Sequence, residues 1–229
     1  MEYLLSSERV TLESPFFNRD AQQLAIQLLG KILAVRHSGV WLMARIIETE
    51  AYYQSDMASH SSLGYTEKRK ALFMPAGTIY MYYARGGDSL NFSASGEGNA
   101  VLIKSAYPVA SRELDQKSTI AMQNNNPQAD GSPRPLAKLC SGQTLLCKAL
   151  SLKVPDWDGQ RLKSGKFEVL DDTYRPGKVI QTRRLGIHPQ RDALLPLRFI
   201  DYHFAKSCTK NPLTVRNWQI GSEYTILKP

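Results

Sequence analysis

The chain has 229 residues, 42% hydrophobic and 22% charged, a balance that excludes a disordered, collagenous or low-complexity polymer and leaves length for one large domain or two small ones. Lys and Arg number 29 against 21 acids, a formal charge of +8, and the excess is lopsided: residues 1–100 hold 9 basic and 10 acidic side chains, residues 101–229 hold 20 and 11. A basic second half suits a polyanion such as nucleic acid, and equally a merely soluble basic protein.

From the N-terminus, Met1–Leu5 lacks the basic start and long apolar core of a signal peptide. The first predicted element is a helix over residues 19–29, where Leu24, Ala25, Leu28 and Leu29 form one stripe and Gly30 can stop it. Lys31–Arg36 and Val40–Ile47 are branched apolar runs around His37-Ser38-Gly39, which predicts a hairpin. The second run leads into Glu48-Thr49-Glu50-Ala51-Tyr52-Tyr53 and so places two carboxylates at a strand end. A polar stretch, Gln54–Lys70, follows, with short helical potential near Asp56–Ser61. Gly77–Tyr83, Ser89–Ala94 and Ala100–Ala106 predict three more strands, and Val109–Lys117 a helix. Met122–Pro135 reads as a loop and a candidate mobile segment. Thr144–Leu150 predicts a helix, and Phe167–Leu170, Lys178–Gln181 and Leu197–Asp201 short strands. Hairpin-length joins without regular βαβ crossovers give an α+β fold: a single domain over 1–229, with a largely antiparallel or mixed β-sheet core and flanking helices. No stretch nears the roughly 18 apolar residues of a membrane span.

Glu48 and Glu50 share one face of their strand, with Thr49 on the other. Like charges so close raise one pKa unless a cation intervenes, so the pair reads either as a general base beside a pocket or as salt-bridged surface acids. Tyr52, Tyr53, Tyr80, Tyr82 and Tyr83 surround them in sequence; such phenols can wall a base-stacking site or line a core with hydroxyls reaching the surface. His60 is either a structural donor or part of that site. His37, His188 and His203 have no ligand spacing with Cys or acids, and Cys140, Cys147 and Cys208 read as free thiols in a reducing cytoplasm, so neither metal nor cofactor is expected. Gly86-Gly87-Asp88-Ser89-Leu90 carries the letters of a serine-hydrolase block, but Asp201-Tyr202-His203 is one residue short of its partner motif; the match is coincidental.

Ordered islands are more specific. Leu28–Lys31, Ile46–Tyr52, His60-Ser61, Phe73-Met74, Gly77–Tyr82, Asn91, Ala100–Pro108, Leu139–Gly142, Leu146–Leu150 and Pro196–Phe199 together resemble the alkyladenine (3-methyladenine) DNA glycosylase family of the mammalian type, over residues 20–200. The resemblance implies a base-excision repair enzyme that flips a damaged purine out of duplex DNA and hydrolyses its N-glycosidic bond, leaving an abasic site. It makes Glu50 the general base and Glu48 its support. It places Tyr52 and Tyr82 around the flipped base, His60 in hydrogen bonds to it, and Asn91 against its edge to reject guanine. Lys104 stands where the family commonly has an arginine that helps hold the attacking water, and Arg85 where it has the tyrosine that fills the gap in the duplex; Tyr83 beside it is a second DNA-contacting candidate. The family's Gly-Pro-x-Lys becomes Gly142-Gln143-Thr144-Leu145. The implied partner is double-stranded DNA containing damaged purines, with a monomeric, nucleoid-associated protein and no membrane contact. The altered Arg85 and Lys104 also motivate a second reading, a non-catalytic binder of distorted DNA on the same scaffold; a third is an RNA-binding module.

Overall fold

The computed structural model describes residues 9–84, 86–109, 113–216 and 218–229. Its elements run β1 (Val10–Thr11), α1 (Ser14–Phe17), α2 (Ala21–Leu28), β2 (Ile32–His37), β3 (Val40–Tyr52), β4 (Ile79–Ala84), β5 (Gly87–Ser93), β6 (Ala100–Pro108), α3 (Glu113–Asn125), α4 (Leu136–Leu139), α5 (Gln143–Ala149), α6 (Val154–Trp157), β7 (Phe167–Asp171), β8 (Val179–Thr182), β9 (Arg198–Asp201) and β10 (Tyr224–Leu227). Short 3-10 turns add His60–Leu63, Glu67–Phe73 and Tyr202–Ser207. The strands form one sheet in the order β1-β7-β2-β3-β6-β5-β4, with β9, β8 and β10 branching from β3, and the pairings are antiparallel. This is the α+β single domain that the hairpin-length connections predict.

α2 begins where expected because the Asp20 carboxylate accepts hydrogen bonds from the Gln22 and Gln23 N–H groups. Leu24, Ala25 and Leu28 are fully buried against the sheet. Gly30 turns the chain into β2 at φ +87°, where a Cβ would also lie 2.7 Å from Tyr174 Cδ1.

β3 is longer than its apolar run suggests. Its first half pairs with β2, and its second half lies between β6 and β9. Glu48 and Glu50 are therefore in the sheet interior, fully buried, and not at a strand end. Two register shifts between β3 and β6 leave Ile47 and Lys104 as the unmatched residues. Thr49 does face the other way: its hydroxyl donates to Ala25 O at 2.8 Å.

Three expectations need correction. The helix expected over Val109–Lys117 falls partly on residues outside the described set, and α3 extends to Asn125. Met122–Asn125 is accordingly helix, not loop, because Met122 is fully buried in the core. After it, the Asn126 amide donates to Leu139 O and Arg134 donates to the carbonyls of Asn126 and Pro127, which ties the segment down. β1 and β10, two and four residues long, carry no distinct hydrophobic pattern and were not anticipated.

The β4–β5 hairpin packs on α5 at Gly87, where an added Cβ would meet Thr144 Cγ2 at 2.7 Å and Cβ at 2.8 Å. Gly87→Ala is expected to lower unfolding free energy by about 1–3 kcal/mol. Gly177→Ala, where a Cβ meets nothing within 4 Å, should stay within about 0.5 kcal/mol of wild type. Urea denaturation of both variants measures the contrast.

Candidate active site

Glu50 sits at the centre of a small group of side chains delivered by β3 and β6. The Tyr52 hydroxyl donates to Glu50 Oε2 at 2.7 Å, and Lys104 Nζ lies 3.4 Å from Oε1. That Oε1 atom is buried and has no hydrogen-bond partner among the described residues. Lys104 Nζ also donates to Gln143 Oε1 at 3.2 Å, at the first residue of α5.

Tyr52 and Lys104 face a cavity of about 600 Å³. Its walls include Tyr80 and Tyr82 from β4, Asn91 from β5, His60, the start of α5, and a loop carrying His188 and Arg191. The Tyr80 and Tyr82 rings stack 5.5 Å apart, and the His60 ring meets Tyr82 at 4.4 Å. His60 Nδ1 lies 2.9 Å from the Tyr80 hydroxyl. Asn91 is buried and donates from Nδ2 to Tyr80 O at 3.0 Å.

Burial favours the neutral forms of the imidazole and phenols among these walls. Burial lowers the His60 pKa, and the nearby Arg69 and Arg191 cations lower it further. Burial raises Tyr80 and Tyr82, and raises Tyr52 well above the usual phenol, with the Glu50 carboxylate adding to the last. On its outer side Tyr52 is braced by Arg184, whose guanidinium carbon lies 4.5 Å from the ring centroid. Arg184 is itself buried and paired with Asp56.

Glu48 points to a different set of partners. Arg198 Nε donates to its Oε1 at 2.7 Å, Thr209 donates from Oγ1 to Oε1 at 2.6 Å and from N to Oε2 at 3.0 Å, and Ser105 Oγ donates to Oε2 at 2.5 Å. Neither Glu48 nor Arg198 reaches solvent. Burial alone would raise the Glu48 pKa, but Arg198 and the Ser105 and Thr209 hydrogen bonds outweigh it and hold it below the usual carboxylate range.

A buried carboxylate beside an amine, next to an aromatic cavity, can hold a water beside a bound flat ring. Residues 15–203 match the methylpurine-DNA glycosylase family. The chain belongs to that family. Proteins provisionally named 3-methyladenine DNA glycosylase from Pseudomonas fluorescens (strain Pf0-1) and Pseudomonas aeruginosa (strain UCBPP-PA14) are 58% and 56% identical to it over 219 and 216 residues, covering 95% and 94% of this chain and 94% and 90% of theirs. One of the same name from Methanoculleus marisnigri is 34% identical over 197 residues, covering 83% of this chain and 94% of its own. As a methylpurine-DNA glycosylase the protein is a DNA N-glycosylase, an enzyme of DNA repair. Among the described residues no helix is long and apolar enough to cross a membrane, and no cluster of His, Cys, Asp or Glu could hold a metal.

The glycosylase fold gathers Tyr52, His60, Tyr82, Asn91 and Lys104 around one cavity, with Glu50 directly behind Tyr52 and Lys104. Tyr83 lies outside it, on the outer face of β4 and 65% exposed; Arg85 is outside the described residues. The serine-hydrolase letters have structural work instead: Asp88 accepts from Val154 N, and Ser89 Oγ donates to Tyr82 O. Sequence reasoning assigned no role to Gln143, Arg198, Thr209 or the Asp56–Arg184 pair. Arg198 lies in the Pro196–Phe199 island, which is the one available signal; Asp56 and Arg184 are 128 positions apart with no local pattern to join them.

Removing Glu48 leaves Arg198 charged and unpaired in the interior, so Glu48→Ala should cost about 3–5 kcal/mol of stability. The pH dependence follows from the sign of the shift. A carboxylate with a lowered folded pKa contributes its stability above its unfolded pKa and loses it as pH falls through the folded one. Denaturant midpoints between neutrality and pH 3 should therefore fall less steeply in Glu48→Gln than in wild type.

Proposed function

We propose that this glycosylase removes alkylated purines, 3-methyladenine among them, by drawing the damaged nucleotide out of duplex DNA into the cavity and hydrolysing its N-glycosidic bond with a water that Glu50 deprotonates. The observation that carries this reading is Glu50 Oε1, buried, without a hydrogen-bond partner among the described residues, and 3.4 Å from the Lys104 amine beside the aromatic walls. Extrusion is required because C1′ and the base cannot be reached inside the stack.

In this reading Tyr52 packs on one side of the base, with Tyr82 and His60 on the other. Neutral aromatic faces attract a ring that carries positive charge, as an N3- or N7-alkylated purine does. With Nδ1 engaged by Tyr80, His60 offers Nε2 to the base, and Asn91 lies where it meets the purine edge. Glu50 and Lys104 hold the water against C1′. The water oxygen bonds to C1′ as the C1′–N bond breaks, its electron pair neutralises the cationic purine, and the water proton passes to Glu50. The carboxylate also favours the oxocarbenium-like sugar of the transition state. The products are a free base and an abasic site in an intact strand. Tyr83 follows Tyr82 on the strand that lines the cavity, which supports its contact with the DNA beside the lesion, and the resemblance gives Arg85 the same role. The reading takes the protein to act as a monomer, and a DNA substrate supports residence on the chromosome.

Glu50→Gln should bind duplex DNA containing 3-methyladenine or hypoxanthine as wild type does, yet lose base release by at least about a hundredfold. Wild type should give abasic product that borohydride does not trap as a protein adduct. Gel shift and single-turnover release on the same duplex measure both; tight wild-type binding with no abasic product would instead identify a non-catalytic binder.

A further inference from the structure

We infer that Gln143 is a positioning residue of this reaction, holding the Lys104 amine at the point from which it faces Glu50 and the attacking water. The inference rests on the function proposed above and adds to it a residue that acts through another.

Lys104 is the unmatched residue of a bulge in β6 and carries its amine on a flexible four-carbon stem. Its attraction to Glu50 at 3.4 Å sets a distance but little direction. The directional contact is the hydrogen bond to Gln143 Oε1 at 3.2 Å. An ammonium only donates, so the Gln143 amide must turn its oxygen to Lys104, and its NH₂ then faces the opposite way. The Gln143 side chain and the Tyr82 ring line the same cavity.

The backbone makes this geometry rigid. Gly142, at φ +104°, immediately precedes Gln143, and its N–H donates to Ser105 Oγ at 3.0 Å. Ser105 follows Lys104 in β6 and is itself bonded to Glu48. The residues next to the two ends of the Lys104–Gln143 hydrogen bond are therefore joined by a backbone-to-side-chain hydrogen bond, and a shift of α5 would disturb β6. An arginine at position 104 would carry several donors in one planar group and need no such partner.

The test is single-turnover base release from a lesion duplex by wild type, Gln143→Ala, Gln143→Met, Lys104→Ala, the double variant Gln143→Ala/Lys104→Ala, and Lys104→Arg/Gln143→Ala, with DNA affinity and melting temperature measured for each. Gln143 is only partly buried, and Gln143→Met keeps its length and packing. Both Gln143 variants should melt like wild type and bind lesion DNA within about twofold, yet release base about tenfold more slowly, as expected for losing one hydrogen bond to a charged group. The double variant should be no slower than Lys104→Ala, and Lys104→Arg should recover most of the rate in the Gln143→Ala background. Unchanged release in the Gln143 variants, losses that multiply in the double variant, or no recovery with arginine would each overturn the inference while an active, Glu50-dependent wild type leaves the glycosylase mechanism standing. A wild type that releases no base would sink both.

Discussion

Glu48 and Arg198 meet where neither side chain touches water, and taking two charges out of solvent costs several kcal/mol each before their attraction recovers it. The recovery here is thorough on the carboxylate side, where both oxygens accept hydrogen bonds. Those partners come from β6, β9 and the segment after the Tyr202–Ser207 turn. The ion pair thereby pins together the pieces of chain that flank the second half of β3. Without it, that stretch of strand would expose a buried guanidinium to an apolar interior, and the site built on the strand would have no fixed frame.

Two residues further along the same strand, Glu50 receives the opposite treatment. One oxygen accepts from Tyr52, and the other is left near a single amine. A saturated carboxylate is structural; one with a buried, unmatched oxygen retains the capacity to accept a proton. The difference between two identical side chains is produced by the register shifts between β3 and β6, which turn Ser105 toward Glu48 and Lys104 toward Glu50.

The cavity walls follow a consistent electrostatic logic. Burial favours the protonated phenols and the neutral imidazole, and the cations of Arg69 and of Arg191, itself a lining residue, add to the effect on His60. The rings of Tyr52, Tyr80 and Tyr82 line the cavity, and the Glu50 carboxylate lies behind Tyr52 and Lys104.

The α2 stripe and the hairpin of Lys31–Arg36 with Val40–Ile47 were legible in the chain, because each depends on residues a few positions apart, and the family resemblance was legible in the order of its islands. The extra length of β3, the continuation of α3 through Met122–Asn125 and the tethering of the segment up to Pro135 were not, since each is decided by what packs alongside. Most of the chemistry falls on the same line. Local sequence determined that two carboxylates share a strand face and that tyrosines follow them. Only the tertiary structure decided which carboxylate is saturated with hydrogen bonds and which keeps an oxygen without one among the described residues, because Arg198, Thr209 and Lys104 reach them from remote parts of the chain, and a charge buried in protein takes its properties from whatever lies within a few ångströms.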